Sequence, residues 1–492
     1  MQKLSNRDLA SLPAQVGRPT YDRSRVTVGV VHVGVGGFHR AHQAMYLDAL
    51  MNRGEALDWG ICGVGLLPGD ARMRDALRGQ DGLYTLMLKH PDGRYEARVI
   101  GSIIDYRFLP DDPDAVLEIM AAPATRIVSL TVTEGGYNFH HVTGEFDFQH
   151  PGVVHDLSPG VAPVTVFGLV AEALRRRRER GIAPFTVMSC DNVQANGEMA
   201  QRTFTAFARR KDPELGAWIA QNVAFPNAMV DRITPVTGEA DKAELAERFG
   251  IADAWPVVCE PFTQWVIEDH FPQGRPPLES VGVQLVADVV PYELMKLRLL
   301  NAAHQAICYF GVLAGYRYAH EVMQNPLWPQ LLHGYWAEEA IPTLRPVPGV
   351  DLTAYCQTLV ERFGNPEVRD TLARLCAETS DRIPKFLLPV VREQLAAGSA
   401  KIRRSAAIVA SWARYAEGTD ETGAPITVVD ALKEPLMAAA ARNRATPTAF
   451  LENRAVFGDL IDEPRFVQPY TEALALLHDP NAGALETMRR FS

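Results

Sequence analysis

Val28-Gly29-Val30-Val31-His32-Val33-Gly34-Val35-Gly36-Gly37-Phe38-His39-Arg40-Ala41 reads as a buried strand running directly into a glycine-rich turn and the start of a helix. Gly34 at the bend, with Gly36 and Gly37 after it, lets a dinucleotide approach the main chain. The helix start beyond them, at Phe38 and His39, offers unpaired N–H groups and a positive dipole end to a pyrophosphate. His39 stands where the G-x-G-x-x-G pattern has its third glycine. A ligand-free strand-to-helix turn would look similar, but strand before and helix after predict cofactor binding.

Outward from this turn, short β-rich runs alternate with helical segments. Strands are expected over 60–66, 98–104, 127–133, 185–190 and 281–286, and a helix over 164–180, closed by a basic last turn and Gly181. Such alternation predicts a parallel sheet covered on both faces. From Pro291 onward apolar-periodic stretches dominate, at 291–315, 365–378, 384–397, 405–417 and 469–478, with 342–348 as a Pro-rich loop. The expected fold is therefore α/β. A Rossmann-type dinucleotide-binding domain over 1–287 precedes a mainly α-helical substrate and catalytic domain over 288–492.

A chain of 492 residues exceeds what one core usually organises, which fits two domains. Forty-nine basic against 59 acidic residues give a net charge of −10. That balance argues against a nucleic-acid or membrane-surface partner. No run of apolar residues is long enough to span a bilayer, and 1–27 lack the regions of a secretory signal. The six cysteines are scattered without a C-x-x-C pair, so neither a disulfide framework nor a zinc cluster is expected. The chain reads as cytoplasmic, with no obligate protein partner evident.

The ribose reader is less sharply written. Asp70, the first acid after the second strand, would favour NAD by accepting from the ribose hydroxyl and repelling a 2′-phosphate. Arg72 and Arg74 nearby would welcome that phosphate, and Asp70 would equally serve to cap a helix starting at Ala71.

The chemistry concentrates in Glu293-Leu-Met-Lys296-Leu-Arg-Leu-Leu-Asn301-Ala-Ala-His304. On an ideal α-helix with Lys296 at zero, Glu293 falls near roughly 60°, His304 near 80° and Asn301 near 140°. A lysine set among leucines and alanines loses charge stabilisation and becomes a base able to take a proton from an alcohol. Asn301 and His304 would then hold substrate oxygens, and Glu293 would pass the proton outward. A polar stripe facing water is the competing account. In the first half, Asn192 (in Met188-Ser-Cys-Asp-Asn192) and Asp231 (between Pro226 and Pro235) are candidate substrate contacts or, as readily, turn and helix caps. The run 131–137 borders the nicotinamide or is a structural turn.

Three rivals are weaker. A zinc alcohol dehydrogenase would need clustered ligands, and His140-His141 has no cysteine near it. Tyr292 and Lys296 share the Tyr-x-x-x-Lys spacing of short-chain dehydrogenases, but they fall after the parallel-sheet half. A non-catalytic dinucleotide sensor would need no base on the Lys296 helix.

Taken together, Gly34-Val-Gly-Gly-Phe-His-Arg-Ala-His42, Thr131-Val-Thr-Glu-Gly-Gly-Tyr137, Ser189-Cys-Asp-Asn192, Phe225-Pro-Asn-Ala-Met-Val-Asp-Arg-Ile-Thr-Pro235 and Lys296-x4-Asn301-x2-His304 resemble the polyol-specific long-chain dehydrogenases. The resemblance implies metal-free, NAD-dependent, reversible oxidation of D-mannitol to D-fructose. It makes Lys296 the general base, Asn192 and Asn301 the pair on the reacting oxygen, and His304, Asp231 and Arg374 substrate-positioning groups. Arg382 stands where the mannitol-oxidising members carry lysine, keeping the charge but presenting a planar fork. The same family includes fructuronate and tagaturonate reductases and D-arabinitol dehydrogenases, which remain alternatives.

Overall fold

The valine-rich run 28–33 is buried on both sides because it lies at the centre of a sheet, and its side chains alternate between two cores. In the computed structural model, which describes residues 2–139 and 145–492, five strands form one wholly parallel sheet. They are β1 (Val28–Val33), β2 (Gly60–Gly65), β3 (Ile103–Phe108), β4 (Ile127–Leu130) and β5 (Thr186–Ser189), in the spatial order 3-2-1-4-5. Val31, Val33, Val64 and Leu130 face a core that includes Val116, Leu117, Leu169, Val170 and Phe204. These come from the helices Pro113–Ala121, Val166–Glu179 and Asn196–Lys211. Val30, Ile61, Ile103 and Ile127 face the other, with Ala44, Leu47, Met73 and Leu77 from Gln43–Met51 and Ala71–Arg78. This is the doubly wound arrangement, and its strand order reverses between β1 and β4, where such sheets bind ligands.

The fold class expected from sequence is the one observed, with several corrections of detail. The run 98–104 is not one strand. Tyr95–Ile100 and β3 are separated at Gly101 and Ser102, and Tyr95–Ile100 belongs to a second sheet with Val257–Cys259, Tyr84–Lys89 and Val16–Gly17. Within 281–286 only Gln284–Val286 is strand, after a 3-10 turn Leu278–Val281. It completes a three-stranded sheet with Ala228–Asp231 and Gln264–Glu268. The helix after the glycine turn is two pieces, Gly37–Ala41 and Gln43–Met51, broken at His42.

The chain separates into two compact units, Met1–Val289 and Val290–Ser492. The second is built of helices around Ala302–Leu313 and Arg403–Tyr415, in which Ser405 to Tyr415 are all buried. Of the expected helix at 365–378 only Leu372–Cys376 forms. The stretch 384–397 is divided at Leu387 into the end of Thr379–Phe386 and Leu388–Ala396. Pro469 lies inside Pro464–His478 rather than at its start. Among the described residues no helix is long and apolar enough to cross a membrane, and no three metal-ligating side chains cluster. All six cysteines are free and buried. His140 and His141 lie outside the described residues.

Candidate active site

At the end of β1, Gly34 adopts φ +91°, and a Cβ there would run into the Thr131 carbonyl. Gly36 is exposed, and a Cβ on it would meet nothing closer than 3.9 Å, so the main chain lies open at that point. A left-handed glycine, then open main chain at Gly36 and a helix start, form a cradle that suits a dinucleotide pyrophosphate. Gly37 and Phe38 begin that helix, and Phe38 stacks on His42 at 4.9 Å. His39 points inward instead. It is 1% exposed and stacks face to face on His32, ring centroids 3.4 Å apart. Asp70 does not cap the helix at Ala71. Its carboxylate turns back to accept the amides of Leu66 and Leu67, both at 2.9 Å, and so shapes the turn after β2.

The loops at this edge of the sheet are chained together by side chains. The Thr131 hydroxyl donates to the Gly34 carbonyl at 2.6 Å. Its one proton being spent, it accepts from His32 Nε2 at 3.0 Å, which leaves His32 Nδ1 to accept from Ser129 at 2.8 Å. Burial holds the His32 imidazole down to about 3, so it stays neutral. Farther along, Asp191 accepts the amides of Val132 (3.1 Å) and Thr133 (2.8 Å) and the Tyr137 hydroxyl (2.8 Å). Tyr137 also meets Ser189 Oγ at 2.5 Å. The segment after β4 is therefore tied both to the glycine turn and to the segment after β5. Asn192, next to this anchor, is exposed.

Within 225–235, Asn227 caps the helix Asn196–Lys211, its Oδ1 accepting the amides of Gly197 (2.9 Å) and Glu198 (3.2 Å). Asp231 is buried at the end of Ala228–Asp231, opposite Gln264. Arg232 donates to the carbonyls of Ala41 (2.6 Å) and Glu260 (3.0 Å), and so holds the C-terminus of the short helix after the glycine turn.

In the second unit, Lys296 and Asn301 bound a π-helical turn, Lys296–Asn301, set between Val290–Met295 and Ala302–Leu313. The angles expected for a regular α-helix do not hold across it, because one turn takes up an extra residue. Lys296 is 7% and Glu293 8% exposed, so this stripe does not face water. The Oδ1 of Asn301 is buried with no hydrogen-bond partner among the described residues, an acceptor left for something else. Tyr292 points elsewhere, its hydroxyl donating to the Pro348 carbonyl at 2.8 Å.

His304 lies against Phe363, ring centroids 4.8 Å apart. Burial first, then the positive charges of Arg374, Arg362, Arg382 and Lys296, hold its imidazole well below its ordinary range. The ring is thus neutral and able both to donate to and accept from hydroxyl groups. Arg374 is exposed and grips Asp370 through two bonds of 2.7 and 2.6 Å. Arg382 spends Nη1 on the carbonyls of Arg374 (3.3 Å) and Leu375 (3.1 Å). Lys296, His304, Arg374 and Arg382 are thus gathered electrostatically in one unit, while Asn192, Asp231 and the glycine turn belong to the other. Sequence reading missed Asp191, Tyr137, His32 and Arg232 as organisers. Asp191 alone carried a signal, as the first acid after a wholly buried strand.

Residues 28–280 match the mannitol dehydrogenase Rossmann domain family and residues 288–478 the mannitol dehydrogenase C-terminal domain family. The chain is 49% identical over 483 residues to a mannitol 2-dehydrogenase of Aspergillus fumigatus, covering 96% of each. A mannitol 2-dehydrogenase of Pyricularia oryzae is 46% identical, with 99% of each chain covered. Among solved structures, the Pseudomonas fluorescens mannitol 2-dehydrogenase ternary complex with NAD and D-mannitol superposes with a TM-score of 0.90 at 45% identity, over 99% of both chains. A D-sorbitol dehydrogenase in substrate-free form gives a TM-score of 0.91 at 37% identity, over 99% of this chain and 100% of that one.

Proposed function

The chain belongs to the mannitol dehydrogenase family, and from that premise we propose that it oxidises D-mannitol at carbon 2 to D-fructose, reversibly and with NAD. The observation that carries the reading is near-full-length identity of 45 to 49% to mannitol 2-dehydrogenases, one of them a complex with NAD and D-mannitol. Identity to the sorbitol enzyme is lower, at 37%.

Bound NAD supplies the hydride acceptor. The residues that fit its pyrophosphate are the open turn Gly34, Gly36 and Gly37 with the helix start at Phe38, while His39 supports the turn from below. Asp70, fixed by the Leu66 and Leu67 amides, faces the ribose in this reading. Lys296 takes the hydroxyl proton as hydride leaves the same carbon, so that the alcohol becomes a ketone with atoms and charge balanced. By resemblance Asn301 and Asn192 hold the reacting oxygen through their amide N–H groups, and the buried Asn301 Oδ1, without a partner among the described residues, is placed to accept from a substrate hydroxyl. Neutral His304 exchanges hydrogen bonds with a neighbouring hydroxyl, and Asp231, Arg374 and Arg382 position the rest of the polyol. Glu293, one turn before Lys296, relays the proton outward. No step in this scheme calls for a metal.

A second reading, reduction of a sugar acid such as fructuronate or tagaturonate, is favoured by the cations Arg374, Arg362 and Arg382 about His304. NADH oxidation is to be followed with fructose, fructuronate, tagaturonate and xylulose, and NAD reduction with mannitol, sorbitol and D-arabinitol. Turnover of fructose and mannitol above the others is expected. Preference for a uronate would move the chain to the sugar-acid branch, and NADH binding without turnover of any substrate would make it a sensor.

A further inference from the structure

We propose that Tyr335 and Trp336 are positioning residues that select the π-turn on which Lys296 and Asn301 sit, an inference that rests on the base assignment made above. The six residues of that turn, Lys-Leu-Arg-Leu-Leu-Asn, are mostly good α-helix formers, so nothing local asks for a widened turn. The amide of Ala302 would serve the Arg298 carbonyl in an α-helix. It donates instead to Leu297, five residues back.

Two side chains from a distant segment meet the displaced carbonyls. The Tyr335 hydroxyl donates to the Arg298 carbonyl and the Trp336 indole nitrogen to the Leu299 carbonyl, each at 2.9 Å. Both side chains are fully buried. They open a second π-turn, Tyr335–Ala340, in which the amide of Ile341 reaches the Trp336 carbonyl. Gln394 donates to the carbonyls of Glu338 (3.2 Å) and Glu339 (2.7 Å) in that turn. The clasp is reciprocal, because Arg298 donates to the Thr343 carbonyl at 2.8 Å and pairs with Glu393.

Geometry makes this matter for the chemistry. A π-turn holds one residue more than an α-turn, and losing that surplus rotates the downstream residues by roughly 100°. Lys296 and Asn301 stand at the two ends of the turn. Their relative direction is therefore fixed by whether Tyr335 and Trp336 hold it open.

The test is Tyr335→Phe and Trp336→Phe, each removing one donor while keeping an aromatic ring, with Trp328→Phe as control. Trp328 is equally buried, but its indole nitrogen has no partner among the described residues. Both test variants should lose about tenfold to a hundredfold in kcat for mannitol oxidation, with KM for NAD held within about twofold. Their isotope effect on kcat with C2-deuterated mannitol should rise, and amide exchange over 296–304 should quicken. Trp328→Phe should lower thermal stability without touching kcat. Wild-type kcat and isotope effect in both variants, with only the melting temperature lowered, would overturn the proposal. If Trp336→Phe does not fold, Tyr335→Phe decides alone. A Lys296→Ala protein with undiminished turnover would instead sink the base assignment and this inference with it. That case is distinguishable because its exchange pattern over 296–304 stays normal.

Discussion

Lys296 is 7% exposed and Asn301 holds an unpartnered buried oxygen, so neither is an ordinary solvated side chain, and substitution of each tests a role in the chemistry. Lys296→Ala should cut mannitol oxidation by about a hundredfold to ten-thousandfold. NADH affinity, read by fluorescence titration, should survive, since the lysine is outside the glycine turn. Asn301→Ala should lose about a hundredfold or more in kcat if its amide meets the developing alkoxide. Gly34→Ala should do the reverse of Lys296→Ala. A left-handed backbone and a Cβ aimed at the Thr131 carbonyl should abolish NADH binding and cost stability of about 1–3 kcal/mol or more, visible by calorimetry. At this scale the sequence was unevenly legible. The glycine turn, and the burial of Lys296 among apolar residues, were readable from residue type and spacing. His39 was visible only as a missing glycine, because its place beneath the turn depends on stacking with His32. Asp70 offered two readings, helix cap or ribose acid; the helix at Ala71 takes no side-chain cap from it, and its Oδ2 accepts the amides of Leu66 and Leu67 instead.

At the level of elements, β1, β2, β4 and β5 were legible because burial on both faces forces continuous apolar runs. The edge strand β3, Ile-Ile-Asp-Tyr-Arg-Phe, is broken by charged residues and was met only at its first two positions by the expected run 98–104. The added sheets were not legible. Gln264–Glu268 begins and ends with polar residues, and Val16–Gly17 pairs with Ala97 and Arg98, about eighty residues away, a contact no local pattern encodes. The π-turn was hidden for the same reason, since its sequence is α-helical and its partners Tyr335 and Trp336 lie 37 residues on. Glu339, at the far end of the second π-turn, accepts the Arg404 amide (2.8 Å), the Ser405 amide (2.9 Å) and the Ser405 hydroxyl (2.6 Å), capping Arg403–Tyr415. Burial pushes its carboxyl up to about 7, against the pull of those donors. The folded state then binds the proton more tightly than the unfolded one. The contribution is full below the ordinary carboxylate range and is lost as pH rises through about 7. Relative to Glu339→Gln, the melting temperature of the parent should fall across that window. A constant difference between the two proteins would show that Glu339 is ionised throughout.

For the whole molecule, occupancy should register as stability. NAD at a hundred times its Kd should raise the unfolding free energy by about 2.7 kcal/mol, read as a shift in melting temperature. Prolonged chelation should leave both that shift and mannitol turnover intact, whereas loss of turnover restored by zinc would overturn the metal-free scheme. The distribution of thiols adds something of another kind. Cys62, Cys190 and Cys259 lie in the first compact unit and Cys308, Cys356 and Cys376 in the second, every one of them buried. A thiol shut away from solvent is alkylated only when its surroundings open. The protein thus carries two sets of intrinsic stopwatches, and timed alkylation read by peptide mass would tell which half lets go first on the way to inactivation.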